Sequence, residues 1–100
     1  MRMITKNDPV DTNSLVKLAK ALSDPTRLRI LLEIAKGTNK GCGDLFEFVP
    51  ISQPSMSQHL KALVESGLVE SHKEGRTKRL AINAAKRQEL ESFLQLLNLQ

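Results

Sequence analysis

A mainly α fold with a single two-stranded β-hairpin near its end is what this chain of 100 residues predicts. Three observations predict it. Apolar residues recur at helical spacing, i, i+3, i+4 and i+7, through most of the chain. Capping residues and glycines punctuate those runs where helices should begin and stop. One stretch, "LVESHKEGRTKRLAI" (68–82), reads instead as two short strands meeting at a glycine. The length suits one domain with its own core, and a hydrophobic content of 40% is too high for a disordered chain.

The elements follow in order. Residues 1–12 are polar, contain Pro9 and show no periodicity, so a flexible N-terminal arm is expected before a domain over 13–100. From Asn13, the residues Leu15, Leu18, Ala19 and Leu22 make one apolar stripe on a helix. In the next helix Asp24 is the cap, Pro25 fits the first position, Gly37 fits the left-handed stop, and Leu28, Leu31, Leu32 and Ala35 form the stripe. "TNKGCG" is a turn, after which Asp44 caps a short helix carrying Leu45, Phe46 and Phe48, ended by Pro50. Ser52 caps the fourth helix, whose buried side is Met56, Leu60, Leu63 and Val64 and whose stop is Gly67. After the hairpin, which turns at Glu74-Gly75-Arg76, Asn83 caps a last helix with the stripe Leu90, Phe93, Leu94 and Leu97. The count is about five helices and a hairpin.

The fourth helix begins in an unusual way. Its leading edge holds Ser52, Gln53, Ser55, Ser57 and Gln58, short hydrogen-bonding side chains where a merely solvated helix would carry Glu and Lys. A short helix, the turn "VPIS" and such a second helix form a helix-turn-helix, with the second helix sized for a DNA major groove. The residue types suit base edges. Gln bonds adenine through N6 and N7, Ser donates or accepts, and Met56 or the Ser methylenes can meet a thymine methyl. Lys61 and the first-turn amides are placed for phosphates. His59 lies at the margin of the apolar stripe, where packing, a backbone bond and a phosphate contact are all open.

Charge supports the same partner. The chain holds 15 Lys and Arg against 11 Asp and Glu, net +4. Most of that excess sits in "HKEGRTKR", where Lys73, Arg76, Lys78 and Arg79 face one acid, Glu74. A basic hairpin following a reading helix is a β-wing, which would run along flanking backbone or minor groove. Double-stranded DNA is the ligand these elements agree on.

"LAKALSDPTRLRILLEIAKG" and "SQPSMSQHLKALVESGLVESHKEGRTKRLAI", with the flanking helices, resemble the ArsR/SmtB family of bacterial winged-helix repressors over about residues 14–97. The resemblance implies a homodimer built from the first and last helices, through Leu15, Leu18, Leu22, Leu90, Phe93, Leu94 and Leu97. It implies two recognition helices in successive major grooves of an inverted-repeat operator, transcription blocked at a promoter, and release by an inducer. By position in the motif, Gln53, Ser55, Ser57, Gln58 and His59 fall on the family's DNA-reading helix and Arg76 on its wing tip.

The chain departs from that pattern at the sensor. Many members bind metal through a Cys-x-Cys pair before the third helix, where this sequence has Gly41 and Gly43 flanking Cys42. Others use Asp and His on the last helix, and residues 84–100 contain neither. Soft and borderline metals need thiolate or imidazole clusters, so no metal site and no cofactor are expected. A single Cys forms no internal disulfide, which fits a reducing cytoplasm, and leaves a single-cysteine redox-responsive regulator as an alternative. The other alternative is a winged-helix protein-interaction module. No Ser-His-Asp or carboxylate-pair arrangement supports an enzyme. The apolar runs are too short for a membrane span, and the first residues lack the apolar core of a signal peptide.

Overall fold

The computed structural model describes residues 11–37 and 42–98. Helix α1 covers Thr12–Ala21 and α2 Pro25–Ala35; a 3-10 helix, Cys42–Glu47, leads into α3, Gln53–Glu65. Strands β1 (Val69–Glu74) and β2 (Thr77–Ile82) form the hairpin, and α4 (Ala84–Leu96) closes the order. The fold class is thus the expected one, with the short third helix tightened to 3-10 geometry. Thr12 already lies inside α1, and residues 1–10 of the expected arm lie outside the described residues, as do positions 38–41 of the turn.

The helix caps form at the residues whose chemistry suits them. Asp24 Oδ2 accepts from Arg27 N at 2.9 Å with Pro25 behind it, Ser52 Oγ from Ser55 N at 3.2 Å, and Asn83 Oδ1 from Lys86 N at 2.8 Å. Each satisfies an amide that a helix start leaves without a partner. Asp11, two residues ahead of the expected start, caps α1 by accepting from Asn13 N at 2.9 Å.

One core gathers Ile30 and Ile34 of α2, Leu45 and Val49 around the 3-10 helix, Met56 and Leu63 of α3, and Val69 and Leu80 of the hairpin. Burying each such side chain stabilises the fold by roughly 1.5–3 kcal/mol. The α2 stripe differs from the one expected. Ile30 and Ile34 are buried and Leu31 packs against them, while Leu32 is 59% exposed and Leu28 and Ala35 also face out. Its apolar residues span more than half of the helix circumference, so spacing alone left several phases open. In α3 Val64 is exposed rather than buried, because it stands at the edge of the arc set by Met56, Leu60 and Leu63. In α1 the buried residues are Leu18 and Ala21, and Ala19 faces out.

β1 and β2 pair antiparallel, with Val69 opposite Ile82 and Glu74 opposite Thr77. The two residues between them are Gly75 and Arg76, and Gly75 has φ +60, the left-handed value the first position of a II′ turn requires. Helix α4 packs against α1, held by Lys86 Nζ donating to Ser14 Oγ at 2.9 Å, yet no residue of α4 is buried.

Candidate nucleic-acid interface

The face of α3 turned away from the core carries Gln53, Pro54, Ser57, Gln58 and Lys61, all exposed, with Ser55 half-buried beside them. This is the polar edge the sequence singled out, on one side of one helix. The physical cause is periodicity: Met56, Leu60 and Leu63 take the core side, and residues one and two positions along from Met56 are carried round to solvent.

Two expected contributors lie elsewhere. Met56 is 2% exposed and sits in the core, so its side chain is not available to a thymine methyl. The first turn also offers fewer amides than expected. Pro54 has no N–H, Ser55 N is bonded to Ser52 Oγ, and Met56 N is bonded to Ser52 O at 2.9 Å. Of these first positions, the Gln53 amide is the one left to meet a phosphate.

His59 is turned inward. Its side chain is 16% exposed, and Nδ1 stands 3.9 Å from Asp24 Oδ2, too far for a hydrogen bond. That nitrogen is buried and has no hydrogen-bond partner among the described residues. Of the readings open to His59, packing against the α2 cap is the one its position matches. Lys61 is exposed and lies 3.9 Å from Glu65 one turn further on.

The wing has two unlike faces, which sequence reasoning missed. Side chains alternate along each strand, so Val69, Ser71 and Lys73 share a face with their partners Ile82, Leu80 and Lys78. Lys73 therefore stands directly across from Lys78, and neither has an acid within ion-pair distance among the described residues. On the other face Glu70 meets His72 Nε2 at 3.1 Å, and Glu74 lies 3.7 Å from Arg79 Nε. Arg76 occupies the turn, exposed. Like charges directly opposite destabilise a hairpin by up to roughly 1 kcal/mol, and an anionic ligand would relieve it. The signal was present in the sequence as the register: with Gly75-Arg76 as the turn, positions 73 and 78 must pair.

Of the residues expected at a dimer seam, Leu94 is 53% and Leu97 54% exposed, and Leu90, Phe93, Leu15 and Leu22 are half-buried. Leu18 is fully buried within its own chain and has no surface to give a partner. Val16, not anticipated, is exposed on α1.

Cys42 begins the 3-10 helix. Among the described residues no three His, Cys, Asp or Glu side chains gather as a metal-binding group, and no helix is long and apolar enough to cross a membrane.

Comparison with known proteins adds independent findings. A family model described as a helix-turn-helix domain matches residues 22–72. The arsenical resistance operon repressor of Staphylococcus aureus is 38% identical over 85 residues, covering 85% of this chain and 78% of that protein. The chain spans 61% and 58% of the length of two further curated relatives, both named as repressors. Among solved structures, an ArsR-like transcriptional regulator from Rhodococcus sp. RHA1 superposes with TM-score 0.76 at 32% identity, covering 86% of this chain and 80% of that one. A homodimeric winged helix-turn-helix DNA-binding domain from Mycobacterium bovis superposes with TM-score 0.69 at 26% identity, covering 86% and 79%.

Proposed function

Because the chain belongs to the ArsR/SmtB family of winged helix-turn-helix regulators, we propose that it is a homodimeric repressor that binds double-stranded DNA by sequence and is released by a chemical signal. The observation that carries this reading is the exposed row Gln53, Ser57 and Gln58 on α3, beside a wing whose Lys73, Lys78 and Arg76 lack acid partners among the described residues. Amide side chains read base edges, and cations neutralise phosphates. Neither surface carries an aromatic anchor of the kind protein partners favour.

The dimer reading rests on the ends of the chain. Helix α4 buries none of its residues internally, and Leu94, Leu97 and Val16 together leave apolar surface that a second copy would cover. The homodimeric relative from Mycobacterium bovis supports the same assembly. A two-fold dimer would present two α3 helices to half-sites about one helical turn, 34–36 Å, apart, and would make the operator an inverted repeat.

Selecting bound fragments from genomic DNA tests both parts. Enrichment of an inverted repeat is expected, with log K falling steeply against log salt as phosphate contacts require. Fragments bound without a shared sequence would leave only a nonspecific DNA-binding protein.

A further inference from the structure

A cleft of about 470 Å³ opens behind α3, between the second half of α1, the first turn of α2 and the last turn of α3. Its room comes from small residues: Ala21 of α1 and Ala62 of α3 both line it, where longer side chains would have filled it. The charge around it is lopsided. Lys17, Lys20 and Arg27 line it with one acid, Glu65. Glu65 lies 3.9 Å from Lys61, and no acid pairs with the three cations among the described residues.

Arg27 is the fixed element. Its guanidinium is held by donating from Nη1 to Lys20 O at 2.9 Å, while its Nε is buried with no hydrogen-bond partner among the described residues. A buried donor left unmade is costly, and a planar guanidinium is the group best shaped to pair with a carboxylate or phosphate. Concavity and unbalanced cations coincide at one place, around an Arg27 side chain already held at Nη1.

That place touches only the near end of the reading edge, where Lys61 lies beside Glu65. Glu65 lies twelve positions after Gln53, about 18 Å along the helix at 1.5 Å per residue. We propose that the cleft binds a small anionic metabolite, carrying a carboxylate or phosphate on a short body, as the effector of this protein. Its walls join α1, which carries the exposed Val16, to α3, which carries the reading edge, so an occupant ties the two together. The effector role rests on the regulator reading; the binding itself does not.

Titration calorimetry of the full chain with citrate and, separately, inorganic phosphate at constant ionic strength tests it and tells carboxylate from phosphate. Saturable binding of one of them is expected. It should be at least about tenfold weaker in a Lys17→Ala/Lys20→Ala variant and in Ala62→Leu, which fills the cleft without changing charge, and unaltered in the wing variant Arg76→Ala. Circular dichroism establishes that each variant folds. Saturating probe should then shift the affinity for duplex DNA several-fold in the wild type and not in the cleft variants. No saturable heat, heat that survives both cleft variants, or binding that leaves DNA affinity unchanged overturns the proposal. So does a salt slope for DNA binding that the lysine variant flattens as much as Arg76→Ala does, since the cations then belong to the duplex. Saturable, cleft-dependent anion binding by a protein that binds no DNA would instead keep the site and overturn the regulator reading.

Discussion

Asn83 Nδ2 donates to Glu70 Oε1 at 2.6 Å, so the residue that caps α4 also grips the base of the wing. Its backbone N–H adds a bond to Leu68 O at 2.8 Å, and the other Glu70 oxygen lies 3.1 Å from His72 Nε2. One side chain thus joins a terminal helix to the hairpin. Asn83→Ala removes both the cap and the tie and should cost about 1–3 kcal/mol in chemical denaturation. Asn83→Ser restores the cap alone and should recover part of that loss, with faster amide exchange at the base of β1 in both variants.

Gln58 carries the prediction about specificity. Its amide is exposed on α3 and suited to paired bonds with one base edge. Gln58→Ala should weaken operator binding by about 1–3 kcal/mol and relax preference at one position of each half-site. Weaker affinity with the preference profile intact would remove Gln58 from base reading.

The two faces of the wing should behave differently. Lys78 has no acid partner among the described residues, whereas Arg79 lies 3.7 Å from Glu74. Lys78→Ala should lower affinity for all sequences alike and reduce the salt slope by about one unit for each phosphate left without its cation. Arg79→Ala should change that slope less, and anisotropy titrations over a salt series compare the two. An equal or larger effect from Arg79 would reverse the assignment of faces.

Leu94 tests the assembly. At 53% exposed it has room for a lysine in the single chain, but in a dimer seam Leu94→Lys would bury an unpaired charge at a cost of several kcal/mol. Sedimentation should find a dimer for the wild type and a folded monomer for the variant. A wild type that sediments as a monomer would end the dimer reading.

Gly67 tests the join between α3 and α4. Its φ is +84, and a Cβ there would stand 3.0 Å from Lys86 Cε. Gly67→Ala therefore combines backbone strain with displacement of the Lys86 stem, and should destabilise by about 1–3 kcal/mol. Gly37 has φ +69 with open space where a Cβ would stand, so Gly37→Ala should cost less in the same denaturation assay.

Much of this was legible in the sequence because capping chemistry is local. Asp24, Ser52 and Asn83 each act within three residues, so element starts could be read from single side chains. The polar edge of α3 was legible too, since Met56, Leu60 and Leu63 fix one phase. What could not be read was decided by residues from elsewhere in the chain. Helix α2 has an apolar arc wider than half its circumference, and packing against Leu45, Met56 and Leu80 selects Ile30 and Ile34 over Leu28 and Leu32. His59 turns inward beside Asp24, thirty-five positions away in the chain, and the fate of Met56 is set by the whole core. The cleft needs three helices to exist at all.

The facing lysines, Lys73 and Lys78, give salt two opposite effects on one hairpin. Added electrolyte screens their mutual repulsion and so steadies the free wing, while the same ions compete with it for phosphates. Dilute buffer should thus yield the tightest complexes from the least ordered unbound wing, and a duplex, by neutralising the pair, should quench the motion that low salt permits. Amide exchange across 73–78, followed with and without DNA as electrolyte rises, would trace two curves that converge.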